Sequence, residues 1–349
     1  MKVLVAMSGG VDSSVAAAMM IEQGHEVAGA TLRLWGGESD SGCCSVADVD
    51  DARRVAQQLD IPHYVFNFSD EFDTHVVDPY VRAHSEGITP NPCIECNRHL
   101  KFDLMIARAD RLGYDAIATG HHVRRVVNPD GSFGVARAVD SAKDQTYVVH
   151  MLTPQVLART LFPVGDLTKP EVRARAAAMG LRTADKPESM DVCFIAKTGG
   201  GRKTFLGNRI PLRTARIVDT AGGDRGTVEG LELITYGQRR GLGAVGDGAA
   251  KYVVDIDMAA GVVTVGDLAD LLVESTVLHT LSFADPSIAL GSHPYELLAQ
   301  CSAHGEAIPV TFDPVTSIVT FDTPRPRVAP GQSVVLYRGD VVVAGGIAV

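Results

Sequence analysis

No stretch of this chain approaches 18 uninterrupted apolar residues, so no segment reads as a membrane-spanning helix. A signal peptide is not expected either, because Met1 leads directly into a strand pattern with no room for a charged and apolar leader. Cysteine is sparse: six among 349 residues. That is not the framework of a secreted disulfide scaffold, and a reducing cytoplasm is the expected setting, with any disulfide catalytic. Basic residues are outnumbered, 32 against 42 acidic, for a net charge of −10. This balance argues mildly against a nucleic-acid partner, yet a local basic patch is compatible with an acidic remainder. No internal repeat or low-complexity tract stands out. What is present is ordinary for a globular enzyme, with 46% hydrophobic residues and a mean hydropathy of +0.09. The length suggests two or three domains, each with its own core.

The most informative segment is the first 14 residues. An apolar strand, Val3 to Ala6, runs through Met7 into Ser8-Gly9-Gly10-Val11-Asp12-Ser13, and a helical pattern follows at once. Adjacent glycines allow a tight turn and close approach of a ligand. The helix N-terminus beyond them offers unpaired N–H groups and a positive dipole end to a polyphosphate. Ser8 and Ser13 add hydroxyl donors, and Asp12 is a candidate to hold Mg²⁺. The kinase-type loop G-x-x-x-x-G-K-[ST] is missing. Instead S-G-G-x-D-S resembles the PP-loop of ATP pyrophosphatases, which transfer AMP to an oxygen and release pyrophosphate.

Strand and helix patterns alternate through the first half. Val3–Ala6, Val27–Leu34, His63–Phe68 and Ala116–Thr119 read as buried strands. Ser45 and Asp48 suggest a capping box before Ala52, Val55, Ala56 and Leu59. A helix is predicted over Phe102–Leu112, closed by Gly113, and another from Thr168-Lys-Pro-Glu171 to Gly180. Such alternation implies an α/β fold with a mostly parallel sheet and ligands at the C-terminal strand ends, which puts Gly120 beside the opening loop. The pattern changes near Lys197, and short strands with turn signals follow. The expected division is a PP-loop catalytic domain over 1–196, a small β-rich module over 203–268 and a C-terminal β-barrel over 270–349.

Cys93-Ile-Glu-Cys96 follows Thr89-Pro-Asn-Pro, whose prolines make helix unexpected before Asn97. A C-x-x-C spacing suits metal binding, redox exchange or thiolate activation. A four-cysteine site would need outside partners, and Cys193 is the obvious one; Cys43, Cys44 and Cys301 read more simply as small hydrophobes.

Taken in order, S-G-G-V-D-S-S, G-C-C-S (42–45), D-A-R-R-V-A (51–56), T-P-N-P-C-x-x-C-N, A-T-G-H (118–121), K-D-Q-T-Y (143–147), D-V-C-F-I (191–195) and Y-G-Q-R-R-G-L-G (236–243) resemble the tRNA-specific 2-thiouridylase (MnmA/TrmU) family over essentially the full chain. The resemblance implies an adenine-nucleotide alpha-hydrolase-like domain and sulfur insertion at the wobble uridine of tRNA. ATP adenylates the 2-oxygen, AMP leaves, and sulfur takes its place. It implies ATP binding by Ala6, Met7, Ser8, Gly9, Gly10, Val11, Asp12 and Ser13, with Leu32 and Gly120 lining the nucleotide pocket. Cys193 would carry a persulfide from a sulfur-donor protein, a cysteine desulfurase or sulfur carrier. Cys96 would be the nucleophile, and a transient Cys96–Cys193 disulfide would close the turnover. Asn91, Pro92 and Cys93 would meet the target base. Lys143, Asp144, Gln145, His121 and Gln332 would contact tRNA. A monomer is expected.

Two features depart from that pattern. Some relatives carry Asp where this chain has Cys93, and three cysteines beside a PP-loop also suit a [4Fe–4S] cluster that would carry the attacking sulfide. Leu297–Gly305 lacks the Arg/Tyr pair usual for tRNA docking, leaving Arg325, Arg327 and Arg338, with Arg239-Arg240 as another phosphate contact. The rival readings are a PP-loop amidoligase, which has no use for Cys96 and Cys193, and an ATP-binding iron–sulfur or redox-responsive protein without enzymatic activity.

Overall fold

The structure is a computed structural model that describes residues 1–34, 46–128, 130–187, 192–196, 200–242 and 250–349. Gly42–Ser45, including Cys43, Cys44 and the expected cap Ser45, lie outside the described residues, as do Asp191 and Gly243.

Residues β1 (Lys2–Ala6), β2 (Glu26–Arg33), β3 (His63–Asn67), β4 (Ala116–Ala118) and β7 (Thr160–Leu161) form one parallel sheet in the order β3-β2-β1-β4-β7. Its central strand is buried on both faces: Leu4 points into one apolar cluster, and Val3 and Val5 into another. The run of apolar residues in β1 reflects that double cover rather than alternation with solvent. The helix Val11–Glu22 packs Val15, Ala16 and Ala17 against Val172 and Ala176 of the helix Lys169–Ala178. Thr168 and Glu171 close the latter's N-terminus as a capping box.

One helix starts earlier than its prolines suggest. Pro92–Glu95 runs without a break into the wide-turned Cys96–Leu104 and then Met105–Leu112, ending at Gly113 with φ +75°. Pro92 sits at the first helical position, where its missing N–H costs nothing, and Asn91 caps the start by accepting from Cys93 N at 3.0 Å. Proline therefore begins this helix instead of delaying it.

A four-stranded sheet of β8 (Thr214–Asp219), β9 (Asp224–Glu229), β10 (Tyr252–Asp257) and β11 (Val262–Gly266) forms the central module in the order β10-β11-β8-β9. Beyond it β12 (Leu272–Phe283), β13 (Tyr295–Gln300), β14 (Ile308–Asp313), β15 (Ile318–Pro326), β16 (Ser333–Arg338) and β17 (Val341–Ala348) form a barrel closed by the β12–β17 pairing. The sequence reading did not foresee one element of this sheet. The hairpin of β5 (Val123–Val127) and β6 (Phe133–Arg137), from the N-terminal half, extends the barrel sheet through Val341 and Ala136. Buried polar groups lock the same interface: Tyr147 donates to Ser333 O at 2.8 Å, and Tyr337 Oη lies 3.0 Å from Thr146 Oγ1 while donating to Gln300 Oε1 at 2.9 Å. The central module is tied in by His84, whose Nδ1 donates to Glu232 O at 3.1 Å.

Candidate functional site

The turn after β1 is built by backbone packing. Gly9 has φ +74°, and a Cβ there would lie 2.3 Å from Asp48 O. Gly120, after β4, has no room for a Cβ either: it would sit 2.6 Å from Ser13 N. The two glycines thus let the helix Val46–Gln58 and the end of β4 close on the loop, and what Gly120 admits in this structure is the Asp12–Ser13 backbone. Gly10 is the N-cap of Val11–Glu22, and its carbonyl accepts from the hydroxyls of Ser13 at 3.1 Å and Ser14 at 2.8 Å. Ser13 Oγ also accepts from Ser8 N at 3.2 Å. Met7 and Val11 are buried, and Leu32 packs into the core below.

Asp12, in the first turn of that helix, is gripped from two sides. Lys169 Nζ lies 2.8 and 2.7 Å from its two oxygens, and His122 Nε2 is 3.1 Å from Oδ1. Burial alone would raise the Asp12 carboxyl, but hydrogen bonds from His122 and Lys169, with their charges, outweigh it and hold its pKa below the usual value. His122 is oriented by Gln145, whose Oε1 accepts its backbone N–H at 2.8 Å. With Nε2 donating to the carboxylate, His122 Nδ1 is left buried with no hydrogen-bond partner among the described residues.

Sequence reasoning missed Lys169 and His122. A signal for Lys169 was present: a lysine in the first turn of a helix faces the positive dipole end and so needs an anion nearby. His122 carried no signal beyond its place next to Gly120-His121.

The sulfur residues lie elsewhere on the same domain. Cys96 is 7% exposed inside the main core, whereas Cys93, one helical turn earlier, is exposed. Cys193 opens the short helix Cys193–Ala196 and packs, half-buried, against the same core cluster that contains Cys96. Phe194 anchors that helix, with ring centroids 5.6 Å from Phe72, 5.5 Å from Tyr80 and 5.0 Å from Phe205. Among the described residues no three His, Cys, Asp or Glu side chains are grouped to hold a metal ion. Cys93, Cys96 and Cys193 therefore do not make up such a group as they are placed here.

The residues expected to face tRNA divide into two kinds. Cys93 is exposed and Lys143 half-buried, at the surface. Asp144 is enclosed instead, taking Ala138 N at 3.0 Å, Arg137 at 3.2 Å and Thr146 Oγ1 at 2.5 Å. Gln332 donates to Thr89 O at 2.6 Å, and Thr89 N donates to Pro330 O at 2.9 Å, so the barrel holds the loop before Asn91-Pro92-Cys93. His121 stacks on Phe102 at 5.7 Å and bonds Thr119 Oγ1 at 2.9 Å; burial, with the Lys101 and His122 charges, pushes its pKa down to about 3. Arg239, Arg240 and Arg325 are exposed, Arg327 stacks over Tyr236 at 5.0 Å, and Arg338 pairs with Asp285 at 2.8 Å.

A glycine-rich turn from the central strand of a parallel sheet, ending on a carboxylate at a helix N-terminus, defines a nucleotide-using α/β domain. Residues 1–197 match the family described as tRNA methyl transferase HUP domain, 203–267 the tRNA methyl transferase PRC-barrel domain and 276–348 the aminomethyltransferase beta-barrel domain. Over nearly its whole length the chain is similar to tRNA-specific 2-thiouridylase MnmA. It is 43% identical to that of Roseiflexus castenholzii over 99% of this chain and 98% of the relative. It is 45% identical to that of Chloroflexus aurantiacus over 99% and 97%, and 45% identical to that of Mycobacteroides abscessus over 97% and 96%. The chain belongs to the tRNA-specific 2-thiouridylase family.

Proposed function

We propose that this tRNA-uridine 2-sulfurtransferase works in two half-reactions, at the Asp12 loop and at the Cys96–Cys193 pair. In the first, the uridine 2-oxygen attacks the α-phosphorus of ATP, the α–β P–O bond breaks and pyrophosphate leaves. The loop amides after Gly9-Gly10 and the start of the helix Val11–Glu22 receive the phosphates, and Ser8 and Ser13 contribute donors. Asp12 would be the carboxylate that holds Mg²⁺ beside the substrate phosphates, exchanging a contact with Lys169 or His122 for the ion, which would screen the phosphate charge. Lys169 keeps Asp12 ionised and holds its carboxylate in place at the loop. His122, steered by Gln145, fixes the other side of the carboxylate.

In the second half-reaction Cys193 carries a persulfide delivered by a sulfur-donor protein. Its terminal sulfur attacks C2 of the adenylated uridine and AMP departs. Cys96 thiolate then attacks the Cys193 sulfur, breaking the S–S bond, so that thiouridine is released and a Cys96–Cys193 disulfide remains. The two electrons gained by the transferred sulfur come from the two thiols. A target base in a single-stranded loop leaves its stack at a cost of only a few kcal/mol. The observation that carries this reading is that Cys96 lies in, and Cys193, far away in sequence, packs against, one and the same core cluster.

The test is an incubation of the protein with ATP, Mg²⁺, a persulfide source and unmodified tRNA, followed by mass spectrometry of the wobble nucleoside and measurement of pyrophosphate. Cys193→Ser is expected to abolish thiouridine while tRNA-dependent pyrophosphate release continues. Full thiolation by Cys193→Ser would remove the relay. Pyrophosphate release that ignores tRNA would remove the adenylation step.

A further inference from the structure

The relay leaves a disulfide between one thiol inside the core and another at its edge, and turnover requires its reduction. The third thiol of the group, Cys93, has no part in the relay. Its place is nonetheless specific. Cys93 is the second residue of a helical stretch that runs unbroken from Pro92 to Leu112, and Cys96 lies one turn further along the same face. Residues three apart on a helix bring their Cβ atoms about 5–6 Å apart, close to the range a disulfide spans once the first turn adjusts. The pair is graded in exposure: Cys96 is in the core and Cys93 faces solvent. Asn91 fixes the Cys93 backbone, and Gln332 and Pro330 of the barrel fix Thr89 just before it. A helix start also favours a thiolate.

We infer that Cys93 is the resolving thiol of this enzyme, which carries oxidation from the buried Cys96 out to a dithiol reductant in solution. The inference rests on the cysteine relay proposed above. In the step, the Cys93 thiolate attacks Cys96 Sγ of the Cys96–Cys193 disulfide. The Cys93–Cys96 bond forms, the Cys96–Cys193 bond breaks, and Cys193 leaves as a thiolate ready for the next persulfide. A solution dithiol then reduces Cys93–Cys96, giving two thiols and its own disulfide, so no net electrons are created or lost. Cys193 is thereby reset without an external reductant having to reach Cys96 in the core.

The experiment uses the full-length protein, loaded with persulfide from glutathione persulfide, desalted, and given ATP, Mg²⁺ and unmodified tRNA without reductant. After one turnover it is quenched in acid, alkylated and digested with trypsin without reduction. Cys93 and Cys96 fall in one tryptic peptide and Cys193 in another, so the two disulfides differ as an internal link and a cross-link. Wild-type protein is expected to show mainly the internal Cys93–Cys96 link with Cys193 alkylated, and Cys93→Ser the Cys96–Cys193 cross-link. Re-reduction by dithiothreitol is expected to be at least tenfold slower in Cys93→Ser. A wild-type cross-link with Cys93 alkylated overturns the inference and leaves the relay standing. Thiolated tRNA with neither disulfide overturns both.

Discussion

The nucleotide end and the sulfur end of the N-terminal domain are built by opposite means. The first is made of neighbours in sequence, Ser8 to Ser14, closed by backbone contacts at Gly9 and Gly120 that leave no space for a methyl group. The second joins two remote segments. One is a long capped helix carrying Cys93 and Cys96; the other is a four-residue helix whose buried anchor is Phe194. A phosphate needs a fixed cradle of donors before it arrives, whereas a persulfide carrier must meet a donor protein and then the substrate. In the proposed reaction the first end serves binding, and the end anchored by Phe194, with Val192 and Ile195 beside it, serves transfer.

That contrast can be broken most sharply at the glycines. Gly120→Ala forces a Cβ against Ser13 N, and ATP affinity is expected to fall at least tenfold, about 1.4 kcal/mol, in an equilibrium nucleotide-binding measurement. Unchanged affinity would show that the cradle is softer than its packing implies. The counterpart at the other end is Phe194→Ala. It removes three ring contacts, so thiolation is expected to drop about tenfold while the ATP dissociation constant stays within about twofold. Equal losses in both assays would mean that the two ends are one rigid unit. Lys169→Met leaves Asp12 without its closest cation; ATP binding and pyrophosphate release are expected to weaken together by about tenfold, and the loss should be smaller in Lys169→Arg.

Acid should sharpen the comparison through the supports rather than the site. His84, between the N-terminal domain and the central module, is pushed down to about 4 by burial and the Arg202 charge, against its bond to Glu232 O. His150 is likewise lowered to about 4 by burial, with its bond to Tyr147 O opposing and the Arg98 charge assisting. Both are neutral in the fold near pH 7. Between pH 6.5 and about 4 the unfolded chain takes up protons that the folded one refuses, so stability is intact above 6.5 and declines below it. Each group contributes up to about 3 kcal/mol of that decline. Thermal unfolding across this range measures it, and a flat profile down to pH 4 would rule these histidines out. The smallest expected effect is from Gln332→Ala, which loses one bond to Thr89 O, about 1 kcal/mol, and should raise KM for tRNA more than it alters the melting temperature.

Much of this was legible in the chain itself. The turn at Ser8–Ser13, the parallel strand pattern and the later change to short strands are local signals, because dihedral limits, capping and two-residue or 3.6-residue periodicity act over a few positions. The resemblance of eight ordered motifs supplied the family, which the full-length similarity shows. The start of the cysteine helix is not legible in this way, because proline breaks a helix interior but starts a helix at its first position, as Pro92 does behind the Asn91 cap.

Sequence by itself determined where the glycine-rich loop and the C-x-x-C pair lie, since those depend on residues within a turn of one another. Only the tertiary structure decided that Lys169 and His122 converge on Asp12, that Asp144 and Gln332 make internal ties, and that β5 and β6 join the barrel. Those contacts span many residues, and which remote side chain reaches a given group is settled by packing of whole elements, a property no local pattern encodes.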